Sequence, residues 1–126
     1  MGLLSHGINE IIAVTKDNAA PIGIIQREGQ CPKMILFKGS KTEENIRKYG
    51  WVTANFVSRA SLYARYAFSD VEPSELTAEG DMQRLSEADA WIGFKAEVTH
   101  ETEQTYMIDL TPVLECVISP GIRRVN

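Results

Sequence analysis

Apolar positions along the chain recur mostly at a spacing of two and only twice at a helical spacing. The run Ile8 to Thr15 is apolar and β-branched, which predicts a strand. Lys16, Asp17 and Asn18 follow as a turn signal, and Ala19 to Gln26 resumes the strand pattern. Pro21 has no N–H to give to a ladder, so this second strand is expected at a sheet edge or bulged at that point. Gly23 either leaves room for another backbone or a flat ligand, or simply marks an irregular edge. Beyond a turn at Glu28 and Gly29, Met34 to Phe37 reads as a third strand, placing three strands in meander order.

The pattern then changes. Gly39 permits a tight turn, Ser40 can cap a helix, and Glu43 three residues later completes a capping-box pattern. The helix is predicted from Lys41 to Tyr49 and stops at Gly50. Ile46 is its one firm apolar anchor, so it lies on the surface. Trp51 to Ser58 alternates as a strand, with Val52, Ala54 and Phe56 on one face and Trp51, Thr53, Asn55 and Val57 on the other. Asn55 is poor strand chemistry and requires a hydrogen-bond partner, either within the fold or on a ligand. From Ser58 to Phe68 the pairs Leu62–Tyr66 and Tyr63–Ala67 predict a second short helix.

Ser69 to Gly80, with Pro73 and several acids, reads as an exposed loop or irregular turn, and Leu85 to Ala88 as a short helical turn capped by Ser86. Ala90 to Thr99 is a strand, His100 to Gln104 a polar hairpin turn, and Thr105 to Ser119 a long strand interrupted at Pro112. Tyr106, Ile108 and Leu110, then Leu114, Cys116 and Ile118, are expected to share one apolar face. About six strands with two short helices and no βαβ alternation predict a mainly β fold, an antiparallel barrel rather than a parallel sheet.

Composition narrows the function classes. At 126 residues, 44% hydrophobic and 24% charged, the chain is expected to be one soluble domain spanning 1–126. A net charge of −4 argues against nucleic acid as the main partner, because phosphate backbones call for clustered Lys and Arg. Cys31 and Cys116 form no ligand cluster and are expected to be buried thiols in a reducing compartment rather than a disulfide. The start MGLLSHGINE lacks the pattern of a signal peptide, and no stretch approaches the length of a spanning helix, so a cytoplasmic location is expected. His6 and His100 have no second ligand at metal spacing, and no metal is assigned. The ending PGIRRVN reads as a domain edge from which a longer chain could continue.

The candidate chemistry gathers at the turn before the first helix. Helix N-termini attract anions through free N–H groups, and Lys38, Ser40, Lys41 and Thr42 surround this one. Donors, two hydroxyls and ammonium groups are what a terminal phosphate needs; the spacing is not that of a Walker loop. The same pattern also serves as plain architecture. No dedicated acid, base or nucleophile stands out, so catalytic residues are unassigned.

Four segments in this order, IIAVTKDNAAPIGI, ILFKGSKTEENIRKYG, WVTANFVSRASLYARYAF and LSEADAWIGFKAEV, resemble the FMN-binding split-barrel superfamily, which includes flavin reductases and pyridoxamine-phosphate-oxidase-like proteins. The resemblance runs from Ile8 to about Ile118 and is nearest to a branch of prokaryotic split-barrel domains. It implies a split β-barrel and a homodimer holding flavin mononucleotide (FMN) in a groove at the subunit interface. Ser40, Lys41 and Thr42 would take the flavin phosphate, while backbone groups of Asn18, Ala19 and Ala20 would reach the polar edge of the isoalloxazine. Asn55, Ser58 and Arg59 would be further candidates near the ring or ribityl chain. The implied activity is that of an oxidoreductase moving hydride or electrons from a nicotinamide donor, the alternative being a module that binds or stores flavin, a deazaflavin or haem without turnover. Members of this branch usually continue into a C-terminal helical segment, so the chain is expected to be short by comparison, with a more open site.

Overall fold

The alternating runs become strands because alternation gives each one an apolar face to bury. The computed structural model describes residues 2–118. In chain order the elements are β1 (Gly7–Thr15), β2 (Asn18–Gln26), β3 (Lys33–Phe37), α1 (Lys41–Tyr49), β4 (Trp51–Phe56), α2 (Ser61–Phe68), β5 (Leu76–Glu79), β6 (Met82–Leu85), β7 (Ala90–Glu101) and β8 (Thr105–Val117). Six strands close an antiparallel barrel in the order β1-β2-β3-β8-β7-β4, while β5 and β6 form a separate hairpin. The expected antiparallel barrel is thus present, with β1, β2 and β3 in meander order.

Two apolar layers result. Inside the barrel lie Ile11, Ala13, Ile24, Met34, Leu36, Val52, Ala54, Ile92, Phe94, Ile108 and Leu110, closed at one end by Ile46 of α1. Outside it, Ile12 and Val14 of β1 pack with Ala19, Trp51, Leu62, Tyr66 and Leu85. The strand β1 is therefore buried on both faces from Ile11 to Thr15. Each fully buried large side chain contributes about 1.5–3 kcal/mol relative to exposure, against about 0–1 kcal/mol for an exposed ion pair. These two layers, rather than the surface charges, hold the fold.

The edge expected at Pro21 is found. β2 pairs with β1 along its whole length, but among the described residues its only ladder pair with β3 is Ile25–Lys33. Pro21 therefore lies where no strand requires its missing N–H. Gly23 faces Ile8, whose Cγ2 would stand 3.0 Å from an added Cβ, so its space goes to a side chain of the fold.

Several expectations are corrected. The stretch Ser69 to Gly80 is not simply a loop: it holds a 3-10 turn at Pro73–Glu75 and then β5. Leu85 to Ala88 is not helical; β6 ends at Leu85 and a turn follows. The apolar alternation of the last strand does not survive Pro112. Phe94 pairs with Pro112 and Gly93 with Leu114, a bulge at Val113 that leaves Val113, Leu114 and Ile118 exposed. Cys31 is exposed and Cys116 half-buried, and both are free thiols, so neither is the buried thiol expected. No helix among the described residues is long and apolar enough to cross a membrane. Ser119 and the ending PGIRRVN lie outside the described residues.

Candidate functional site

The turn Lys38–Ser40 delivers β3 to the start of α1. Gly39 has φ 91°, a left-handed conformation that side chains disfavour, and it allows the chain to reverse sharply. Ser40 is the N-cap: its Oγ accepts from the Glu43 N–H at 3.2 Å, and its carbonyl accepts from Glu44 N–H at 3.0 Å. The returning half of the capping box lands one residue early, with Glu43 Oε1 accepting from Gly39 N–H at 2.8 Å. The buried Glu43 carboxylate also pairs with Arg47 one turn on. That hydrogen bond raises the Arg47 guanidinium above its ordinary value, with burial opposing. Among the described residues, the Lys41 and Thr42 N–H groups have no protein acceptor. They point outward from the positive end of the helix dipole.

Beside this helix end runs a groove of about 330 Å³, lined by Asn18, Ala19 and Ala20 of β2, Ser40, Lys41 and Thr42 of α1, and Tyr66 to Asp70 at the end of α2. Six of the eight candidate site residues from the sequence therefore meet in one place. Asn18 Nδ2 donates to Thr42 Oγ1 at 3.2 Å, tying the start of β2 to the helix. Thr42 is buried, and with that oxygen accepting, its hydroxyl proton remains for another acceptor. Lys41 is exposed and enters no ion pair among the described residues. It also borders a second depression, of about 290 Å³, with Lys16, Asp17, Glu44, Asn45, Lys48 and Tyr49, a lining of mixed charge.

The other two candidates lie elsewhere. Lys38 turns away from the groove, pairing with Glu101 above the ring of Tyr106, 5.0 Å from its centroid. Asn55 is completely buried and its amide is spent within the fold. Nδ2 donates to the Ile12 carbonyl at 3.0 Å and to Thr53 Oγ1 at 3.1 Å, while Oδ1 accepts from Leu85 N–H at 2.9 Å. Of the two kinds of partner open to this mid-strand amide, the fold supplies one, and the side chain clamps β6 to the barrel. Arg59 likewise pairs with Glu87 at 2.9 Å.

The groove wall that sequence reasoning missed is the end of α2. Leu62 and Tyr66 bury one face of that helix. Tyr66 OH donates to Glu75 Oε2 at 2.9 Å, and Arg65 holds the other carboxylate oxygen at 2.7 Å. Burial first, then the bond to Glu75, pushes the Tyr66 hydroxyl up to about 12. For Glu75, burial pushes up, but hydrogen bonds from the Glu72 N–H and Tyr66 with the Arg65 charge outweigh it and hold the carboxyl below its usual range. Helical spacing carried a signal here: a residue two beyond Tyr66 is turned about 200° from the core face. That residue, Phe68, is 87% exposed.

Residues 9–119 match the model of a family described as protein of unknown function (DUF447), N-terminal domain. The chain belongs to this family. It is similar in structure to an FMN-bound protein of the same family from Methanosarcina mazei, with a TM-score of 0.85 and 38% identity over 97% of this chain. The chain spans 66% of that protein's length. It is also similar to the flavin reductase of styrene monooxygenase from Pseudomonas putida S12, with TM-score 0.64 and 14% identity over 90% of this chain and 82% of that one. An FMN-binding protein from Thermus thermophilus shares the fold at TM-score 0.68 and 12% identity, over 91% of this chain and 77% of that one. At such identities the last two show the fold alone, and that fold is the FMN-binding split barrel expected from the sequence.

Proposed function

We propose that this chain binds FMN in the groove between β2, α1 and α2, and serves as a flavin-dependent oxidoreductase. The observation that carries the reading is the convergence of Asn18, Ala19, Ala20, Ser40, Lys41 and Thr42 at a helix end with unclaimed N–H groups. These residues fit a phosphate monoester: two N–H donors, the hydroxyls of Ser40 and Thr42, and the exposed Lys41 ammonium. The FMN bound by the Methanosarcina mazei relative supports the same ligand here.

In this reading the α1 end holds the phosphate, and the Asn18–Thr42 bond keeps β2 at a fixed distance from it. The backbone of Asn18 to Ala20 offers N–H and C=O groups along the unpaired edge of β2. A bound flavin supplies the redox step itself, taking hydride or electrons from one partner and passing them to another. The chain's own residues bind and orient it. The depression beside Lys41 holds Asp17 and Glu44 as well as Lys16 and Lys48, with Lys16 paired to Asp17 at 3.8 Å, so a nicotinamide donor rests on the flavin reading and not on the charge there. The Val113–Leu114 edge of β8, which has no second partner strand among the described residues, supports a homodimer. The proposed redox role and the free thiols support a cytoplasmic location.

The first test is a visible spectrum of the purified protein before and after adding FMN and desalting, where retained flavin bands are expected. Lys41→Glu should lower FMN affinity about a hundredfold by setting like charge against the phosphate; unchanged titration would place the phosphate elsewhere. Oxidation of a nicotinamide above the rate of free flavin separates an enzyme from a storage module. Light scattering at micromolar protein tests the dimer, and a monomer would remove it.

A further inference from the structure

We propose that Phe68 is the apolar wall of the groove, packing against the planar ring system of the ligand whose phosphate lies at the α1 end. The inference rests on the flavin reading above and assigns a residue to the ring rather than to the phosphate.

Three observations carry it. Among the described residues Phe68 is the most exposed of the large apolar side chains, at 87%, and it lines the same groove as Ser40, Lys41 and Thr42. A phenyl ring left in water contributes nothing to the fold, and elsewhere on α2 the apolar residues Leu62 and Tyr66 are buried. The ring is also presented from a fixed platform. Tyr66 and Arg65 are tied to Glu75, and Ser69 N–H donates to the Arg65 carbonyl at 2.9 Å, so the last turn of the helix is anchored on both sides of Phe68. Finally, the groove is electrically polarised. The α1 end offers N–H groups and Lys41, whereas the α2 end carries Asp70. A phosphate is attracted to the first and repelled by the second, which leaves the aromatic end of a ligand beside Phe68. Aromatic side chains bind flat heterocycles through their faces with little loss of side-chain freedom.

The test compares two ligands on Phe68→Ala, Phe68→Trp and wild type. FMN binding is followed by titration, and inorganic phosphate by its competition with FMN. Phe68→Ala is expected to bind FMN about tenfold more weakly and to bind inorganic phosphate as wild type does. Phe68→Trp should keep FMN affinity within about twofold, since the aromatic face is retained. The thermal midpoint of the ligand-free Phe68→Ala protein should match wild type, because the ring is exposed. Equal loss for FMN and phosphate would assign Phe68 a general structural role and overturn the proposal. So would unchanged FMN affinity in Phe68→Ala while Lys41→Glu is weakened, an outcome that leaves the flavin reading standing. Failure of wild type to bind FMN would overturn both.

Discussion

The two helical walls of the groove are built by opposite means. The α1 wall is docked by Ile46 and the Asn18–Thr42 bond, but its start and stop come from its own neighbours in sequence: Gly39 turns the chain, Ser40 caps, Glu43 reaches back, and Gly50 at φ 78° ends the helix. The α2 wall has no side-chain cap at Ala60 and no acid in its first turn. It is held from outside, by Leu62 and Tyr66 in the outer layer and by Glu75 across the following loop. A local wall tolerates damage elsewhere in the protein; a wall built by distant contacts does not. The α1 end, where the phosphate is proposed to lie, should therefore be the more robust, and the α2 end, proposed for the ring, the one that fails first.

Asn55→Ala should sharpen this contrast most without touching either wall. It leaves the Leu85 N–H buried without its acceptor, costing about 1–3 kcal/mol, and it unclamps the hairpin that packs on Tyr66. Chemical denaturation should show a lower midpoint, with FMN affinity reduced more than phosphate affinity. A loss shared equally by both ligands would show that the walls are not independent.

Glu75→Gln should act on the α2 wall alone, removing the charge partner of Arg65 and weakening the Tyr66 bond at a cost of about 1–2 kcal/mol. The same cluster gives a pH signature with a defined sign. The folded-state Glu75 carboxyl lies below its usual range, so its contribution is fully present above the ordinary glutamate value of roughly 4.3 and is lost as pH falls through the lower folded value. Wild type should lose stability through that acid window more steeply than Glu75→Gln, as read by thermal midpoints across a pH series. Parallel curves would remove Glu75 as the titrating group.

The smallest effect should come from Ser40→Ala. Loss of the cap costs about 1 kcal/mol of stability, while the Lys41 and Thr42 N–H groups stay in place. Phosphate binding should weaken only by the missing hydroxyl. A collapse of phosphate binding comparable to Lys41→Glu would mean that the serine hydroxyl, not the helix end, organises the site.

The same contrast explains what could be read from the sequence. Caps, turns and alternation are local codes, and they yielded the barrel strands, both helices and six residues of one groove. What escaped notice depends on partners far along the chain. The strands β5 and β6, LTAE and MQRL, carry too little alternation to declare themselves. They are held instead by Asn55, by Thr53 Oγ1 donating to the Gln83 carbonyl at 2.7 Å, and by Gly93, where a Cβ would stand 2.8 Å from Met82 Sδ. Asn55 signalled a need for a partner but could not say which, and Lys38 sat one turn too early, where Glu101 of the neighbouring hairpin claims it. The apolar pattern past Pro112 misled because a bulge reverses faces without changing composition.

The double burial of β1 has a consequence for how the molecule moves in time. A strand covered inside by the barrel core and outside by α2 and the hairpin releases its backbone amides only when both layers separate, so Ile11 to Val14 should exchange hydrogen with solvent at the rate of global unfolding. The Ala20–Gly23 stretch of β2, paired on one side only, needs no such event. Its amides should exchange through local opening, which places a quick-breathing stretch of the barrel directly beside the groove and a slow one on the adjoining strand.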